Sequence, residues 1–373
     1  MKFEVSSAEL LKKLQIASGV IAVNPVLPIT EDFLFKLQGN NLEISATNLE
    51  TTIHCNIAVK AHEEGVSAIP AKILLETLKN LPEQPVTFSV NQDNHSLELT
   101  SSYGRYMIAG NNPEDFPSPP EEENTESFRF SSERLLRAIN GTIFATSNDE
   151  MRLHMSGINM QLDFNKVIFA ATDAHKLVKY VFGNISTDIA GSCILPKKAV
   201  GILKNALPLE GEVIISFNKN NAFFNFDSTM LICRLIEAKF PDINAVIPVD
   251  VPYTLTVNRK DLLNSLRRIG IYASKSTSQV MLNITQDSLT ITAQDLDFSN
   301  EATEQMPCKY DSPEPMTIGY SSKYMIEILN VLTDEEVVIK ITSPTRPSLI
   351  YPFEQEKNEE LTMLLMPVFS TYA

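Results

Sequence analysis

Leucine pairs return along the chain at helical spacing. Leu10 and Leu11, with Leu14 one turn later, form an apolar stripe in SSAELLKKL, and the stripe recurs as Leu135, Leu136 and Ile139 in SSERLLRAI and as Leu262, Leu263 and Leu266 in NRKDLLNSL. Positions i, i+1 and i+4 lie on one side of a 3.6-residue helix, so each segment predicts an amphipathic helix with one buried face. Ser7, Ser132 and Asn258 lead the three segments and are helix-capping residue types. A second helix is predicted later in each repeat: PAKILLETLKNLP from Pro70, PKKAVGILKNALP from Pro196 and SSKYMIEILNVL from Ser321. In the first two, proline is expected at the first helical position, where its missing N–H leaves nothing unpaired.

Between the helices run alternating segments rich in β-branched residues, among them NLEISAT, VTFSV, LELTS, VIFAAT, EVIISF, LNITQDSLTITA and EVVIKIT. Their period of two predicts strands and hairpins. ATN from Ala46, ATD from Ala171 and AQD from Ala293 keep the register, giving a repeat of about 125 residues. Pro-rich connectors, NNPEDFPSPPEEENTES from Asn111 and FPDINAVIPVDVP from Phe240, separate the repeats. Three domains are expected, 1–127, 128–250 and 251–373, each an α+β unit with two helices packed on antiparallel sheet. Glu121, Glu122 and Glu123 in the first connector are expected to be solvated.

With 373 residues, 43% of them hydrophobic, the chain is long enough to bury several cores and too apolar for a disordered chain. It holds only 13 Gly and neither GxGxxG nor GxxxxGK[ST], which lowers the prior for a nucleotide enzyme. Cys55, Cys193, Cys233 and Cys308 lie far apart with no CxxC pair and read as separate thiols in a reducing compartment. His54, His62, His95, His154 and His175 show no metal-ligand spacing, so neither metal nor cofactor is expected. MKFEVSSAELLKKL is not a leader sequence, and no run reaches the roughly 18 apolar residues of a membrane span. A cytoplasmic protein with no membrane partner is expected.

A formal charge of −15 repels a polyanion on average. The six predicted helices nevertheless carry many of the 31 cations, among them Lys12, Lys13, Lys72, Lys79, Arg134, Arg137, Lys197, Lys198, Lys204, Lys260, Arg267, Arg268 and Lys323. Lys72, Lys198 and Lys323 occupy matching positions just inside the second helix of each repeat. A cation there opposes the helix dipole, forgoing about 0.3–1 kcal/mol, so its recurrence points to phosphate binding rather than helix stability. Any one of these lysines taken alone is an ordinary solvated side chain. Helices about 10 Å apart set the scale of a ring: six leave a bore of about 10 Å, and twelve leave about 30 Å. If such helices line a hole, only the larger ring admits a duplex about 20 Å wide, and a closed homodimer would work where a monomer would not.

MKFEV at the start, ATDAHKL from Ala171, FPD from Phe240 and MPV from Met366, within the threefold framework, resemble the bacterial DNA polymerase III beta subunits, the replicative sliding clamps. The similarity runs from Met1 to about Val368. It implies a head-to-tail dimer of six similar domains, helices lining the bore, that encloses double-stranded DNA without reading its sequence and performs no chemistry. It also implies a hydrophobic pocket for short peptides of the DNA polymerase III catalytic subunit, the clamp loader, and other polymerases and repair proteins. Carried over, that pocket comprises Met155, Thr172, His175, Lys176, Leu177, Pro241 and Val246 on one side. Thr345, Pro347, Leu364, Met366, Pro367 and Val368 form the other. The dimer interface would use Arg105, Tyr106 and Ile108 against Ile271 and Tyr272, with Arg105 pairing with Glu301 or Glu304.

Some positions depart from the family pattern. Ala174 and Lys176 replace what is often Gly-Arg, and Asn24 and Asp149 stand where some relatives carry a cation and a glutamine near DNA. Phe369, Ser370, Thr371, Tyr372 and Ala373 extend past MPV, where they would crowd or lengthen the pocket. Two other classes compete: a repeat-built interaction scaffold without nucleic acid, and a hydrolase using Asp173, Asp295 and Asp297.

Overall fold

The computed structural model describes residues 1–368 apart from 150, 186 and 188, so the extension at 369–373 lies outside the described residues. The six predicted segments fold as α1 (Ser7–Ser18), α2 (Ala71–Lys79), α3 (Ser132–Thr142), α4 (Lys197–Ala206), α5 (Arg259–Ile269) and α6 (Ser322–Val331). Leu10, Leu14, Leu135, Ile139, Leu262 and Leu266 are each at most 2% exposed, so the stripes face the core. Each such side chain contributes about 1.5–3 kcal/mol of burial, and truncating Leu266 to Ala would cost about 2–5 kcal/mol.

The caps fall one residue earlier than the serine count suggests. Ser6 and Ser131 accept the backbone N–H of Glu9 and Arg134, whereas Ser7 and Ser132 are buried and donate to the carbonyls of Pro82 and Pro208. Asn258 caps as expected, accepting from Asp261 N–H at 3.1 Å. Pro70 and Pro196 end the preceding strands instead of entering the helices, because each still pairs across its sheet, with Asp32 and Gly157. Lys72, Lys198 and Lys323 are thereby the second residues of α2, α4 and α6.

The chain forms two compact units, the first of residues 1–136 and 198–236, the second of 137–197 and 237–373. In the first unit, a five-stranded sheet runs from Lys60–Glu63 at one edge to Gly104–Ile108 at the other. An eight-stranded sheet continues from the first repeat into the second. Its joint is the antiparallel pair of Thr51–Ala58 with Thr229–Arg234, in which Thr52 faces Ile232. Phe3 and Phe88 stack at 4.9 Å in the core of this unit.

The second unit repeats the plan. Its nine-stranded sheet joins repeats two and three by pairing Lys176–Gly183 with Glu359–Leu365, where Leu177 faces Leu364. A four-stranded sheet has Asn300–Pro307 as one edge.

Hairpin registers make these joints comparable. Thr52, Leu177 and Glu301 face Thr47, Thr172 and Gln294, the middle residues of ATN, ATD and AQD. Strands Thr51–Ala58, Lys176–Gly183 and Asn300–Pro307 are therefore equivalents. Two-residue turns likewise align Gly104 with Thr229, making Met107 the counterpart of Ile232. The first two equivalents bear a partner strand and are largely buried, while Asn300–Pro307 has an unpaired edge and is mostly exposed.

The three recurrent motifs have a local role. Asn48 accepts the N–H groups of Glu50 and Thr51, Asp173 those of His175 and Lys176, and Asp295 that of Asp297. Each side chain closes its hairpin turn. Asp173 and Asp295, two of the carboxylates the hydrolase alternative would use, thus recur because the turn requires them.

Candidate functional site

The cation-bearing helices present most of their charge to solvent. Lys12, Lys72, Lys79, Lys198, Lys204, Lys260, Arg267, Arg268 and Lys323 are exposed, while Lys13, Arg134, Arg137 and Lys197 are half-buried. A groove of about 960 Å³ in the first compact unit brings Lys12 and Lys13 of α1 together with Lys198 of α4, beside Asn48 and Asn205.

Several of these cations already have partners. Arg137 holds buried Glu359 at 2.6 Å, and Tyr180 donates its hydroxyl to the same carboxylate at 2.8 Å. Burial first, then that carboxylate, raises the Tyr180 pKa well above the usual phenol range. Arg268 grips Glu304 with two hydrogen bonds of 2.7 and 2.5 Å, which joins a residue expected at the bore to one expected at the interface. Arg267 reaches Asn330 at 2.8 Å, Lys13 reaches Ser228 at 2.6 Å and Lys197 reaches Asn148 at 2.7 Å. Asn24 and Asp149 are exposed, and Asp149 pairs with Arg152 at 3.3 Å.

Two of the expected pocket residues, Leu177 and Leu364, form a cross-strand pair in the second unit. Leu177 and Leu364 belong to an apolar cluster with Ala170, Ile243 and Leu349, against which Phe240, Ile247, Val251 and Tyr351 pack. Pro241 and Val246 flank Ile243 along the chain, and Val246 is 54% exposed. Pro347, half-buried, leads into the strand that carries Leu349, while Thr345 is exposed. Thr172 is buried and donates its hydroxyl to the carbonyl of Lys176 at 2.8 Å. Met155 is half-buried at the end of a 3₁₀ turn.

Past the last strand, Met366 N–H donates to the His175 carbonyl and Val368 N–H to that of Gly319, both at 2.9 Å. Met366 is left 37% exposed, while Pro367 is buried and Val368 half-buried.

Lys176 is turned inward. Its side chain is 4% exposed, and the ammonium lies 2.5 Å from Asp173, 3.0 Å from Glu327 and 4.4 Å from the centre of the Tyr324 ring. Burial alone would lower its pKa, but hydrogen bonds to the two carboxylates outweigh that effect and raise it. Exposed His175 stacks on the other partner of this network, Tyr324, at 5.5 Å. Ala174 stands at φ +74°, the left-handed region that favours glycine.

Of the residues expected at the interface, Arg105 and Tyr106 lie on the exposed edge Gly104–Ile108, where Ile108 is buried. Ile271 is 77% and Tyr272 42% exposed, just beyond α5. Glu301 and Glu304 lie on the edge strand Asn300–Pro307.

The N-terminal, central and C-terminal domain models of the DNA polymerase III beta subunit match residues 1–120, 129–242 and 244–368. The chain belongs to the DNA polymerase III beta subunit family. It is 28% identical over 346 residues to the beta sliding clamp of Proteus mirabilis, covering 92% of this chain and 93% of that protein. To the beta sliding clamp of Synechococcus elongatus it is 26% identical, covering 99% of both. The fold superposes with a TM-score of 0.93 on the DNA polymerase III subunit beta of Pseudomonas aeruginosa, at 23% identity, covering 99% of this chain and 100% of that one. A sliding clamp of Bartonella birtlesii, solved bound to griselimycin, gives 0.92 at 26% identity, with the same coverage. The protein is thus a DNA sliding clamp, an accessory subunit of the polymerase that works on DNA without catalysis of its own. Among the described residues, no helix is long and apolar enough to cross a membrane.

Motif matching within this clamp did not find Tyr324, Glu327, Ile243 or Leu349. The signal for the first two was present, since Tyr324 follows the aligned Lys323 and precedes Glu327 by three residues, one helical face. Ile243 and Leu349 meet Leu364 only through sheet pairing and the connector.

Proposed function

We propose that two copies of this clamp close head to tail around duplex DNA, each offering strand Gly104–Ile108 to Asn300–Pro307 of the other. The observation that carries this reading is the repeat equivalence. At both joints within the chain, the counterpart of Asn300–Pro307 is paired with the counterpart of Gly104–Ile108 or its analogue in the last repeat, and these two edges alone lack such a partner among the described joints. Transferring the register of Thr52 with Ile232 sets Met107 opposite Glu301, and so Arg105 opposite Thr303. Arg105 is then diagonal to Glu301 on the same sheet face, whereas Glu304 points the other way and is engaged by Arg268.

Three repeats per chain follow the family-model boundaries, making six around the ring and twelve helices about a bore of about 30 Å. The exposed lysines, led by Lys72, Lys198 and Lys323, face phosphates and give salt-sensitive, sequence-independent contact. The slot around Leu177, Leu364 and Met366 takes the hydrophobic anchors of short peptides from the polymerase catalytic subunit, the clamp loader, and other polymerases and repair proteins. Methionine's flexibility suits a succession of partners.

Light scattering with small-angle X-ray scattering tests the ring. The expected particle has twice the 41.6 kDa chain mass and a central void, and a monomeric solid globule would overturn the proposal.

A further inference from the structure

The first joint has an outer groove of its own. Within the first compact unit, a cavity of about 600 Å³ is lined by Ile214 and Met230, with Asn225 between them and buried Ile232 beneath, and Ile214 is 40% exposed. It is the repeat counterpart of the ground beside the peptide slot. Ile232 faces Thr52 as Leu364 faces Leu177, and the lining residues His54 and Met230 stand where Lys179 and Thr362 line a cavity at the second joint.

The two joints differ in what the connector does. At the second, Ile247 and Val251 pack onto the sheet cluster and leave only about 140 Å³. At the first, the connector contributes Pro119, Pro120, Glu121 and Glu122, and the groove stays wide. Glu43 and Asp227 line the same groove, and Arg129 is held by Glu212 at 3.1 Å. Carboxylates from the connector meet carboxylates from the sheet, so the connector cannot neutralise the groove it borders. A concave wall on which Glu43, Glu121, Glu122, Glu212 and Asp227 outnumber Arg129 concentrates cations.

We propose that this groove is a second docking site, for a short peptide segment of a partner protein that carries an aliphatic anchor flanked by lysine or arginine. The volume lies in the range of about 300–1,000 Å³ typical of ligand sites. The aliphatic floor receives the anchor, and the carboxylate rim pairs with the flanking cations. This site differs from the Leu177–Leu364 slot in joint, in connector and in charge.

Calorimetric titration of the full-length protein with a synthetic Lys/Leu octapeptide tests it, with the Glu/Leu octapeptide as control. The expected result is saturable binding of one Lys/Leu peptide per chain and none of the control. Glu121→Lys with Glu122→Lys should weaken binding about tenfold or more, in line with loss of interface anchors. Ile214→Asp adds negative charge at an exposed position, yet should weaken binding about fivefold or more because it removes the anchor's seat. Met366→Ala should leave it unchanged. Photocrosslinking from the peptide should label residues 119–122 or 228–232, which keeps the test independent of any variant's stability. Absence of saturable binding would overturn the proposal. So would unchanged or tighter binding by Ile214→Asp, which marks diffuse electrostatic adhesion, or loss of binding in Met366→Ala, which assigns the peptide to the other slot.

Discussion

Replacing Lys176 by Met tests the ionic network beside the proposed peptide slot. The new side chain is nearly isosteric and apolar, so little cavity forms, and the change isolates the charge. Removing one member of a fully buried ion pair costs about 3–5 kcal/mol, because the partner is left charged and unpaired. Here the penalty is smaller. Glu327 is 45% exposed and can turn to water, while Asp173, 14% exposed, keeps the N–H donors of His175 and residue 176 at 2.9 Å. Adding back the lost contact with Tyr324, we expect about 1–3 kcal/mol of destabilisation.

A urea-denaturation cycle of Lys176→Met, Asp173→Asn and the double variant should show a coupling of about 1–2 kcal/mol. The pH dependence has a definite sign. Folding raises the Lys176 pKa, so its contribution is complete below the unfolded value of about 10.4 and is lost as pH climbs through the higher folded one. The stability gap between wild type and Lys176→Met should accordingly be flat from pH 7 to 9 and shrink above about 10.5. Additive single effects, within about 0.5 kcal/mol, together with a gap unchanged at high pH, would refute the reasoning.

Other expectations follow from the same geometry. Arg105→Cys with Thr303→Cys should give an intermolecular disulfide under mild oxidation, since directly opposed strand residues lie about 4.5–5.5 Å apart at Cα; gel mobility without reductant reads it, and Arg105→Cys with Gln305→Cys should crosslink much less. Ala174→Gly relieves a left-handed alanine and should stabilise the fold by about 0.5–1 kcal/mol, seen as a raised urea midpoint. Lys72→Glu, Lys198→Glu and Lys323→Glu together should reduce retention on circular DNA without altering the dimer mass, measured by gel filtration of loaded complexes. Met366→Ala should weaken binding of polymerase-derived peptides by about 1–3 kcal/mol in a calorimetric titration.

The repeat, the six helices and most strands were legible because they rest on local periodicity. Leu10, Leu135 and Leu262 announce their buried face within a few residues of sequence. The caps were misread by one position because SSAE and SSER each offer two serines, and only tertiary packing decides that the second is buried beneath a proline carbonyl. Lys176 looked like a cation presented to a ligand; its inward turn depends on Glu327, about 150 residues away along the chain. Arg268 likewise read as a bore residue until Glu304, on an adjacent strand, appeared beside it.

The two unlike edges proposed to pair, Gly104–Ile108 and Asn300–Pro307, carry a hazard of their own. A joint between unlike surfaces has no internal reason to stop at two molecules; it makes a closed circlet only if each chain sweeps half a turn, and otherwise grows into a filament. Glu301 and Glu304 on one seam discourage indiscriminate strand addition, as charges at sheet edges do. In the proposed ring, curvature therefore matters as much as contact: a variant that bent the chain slightly would polymerise while every pairwise bond remained intact.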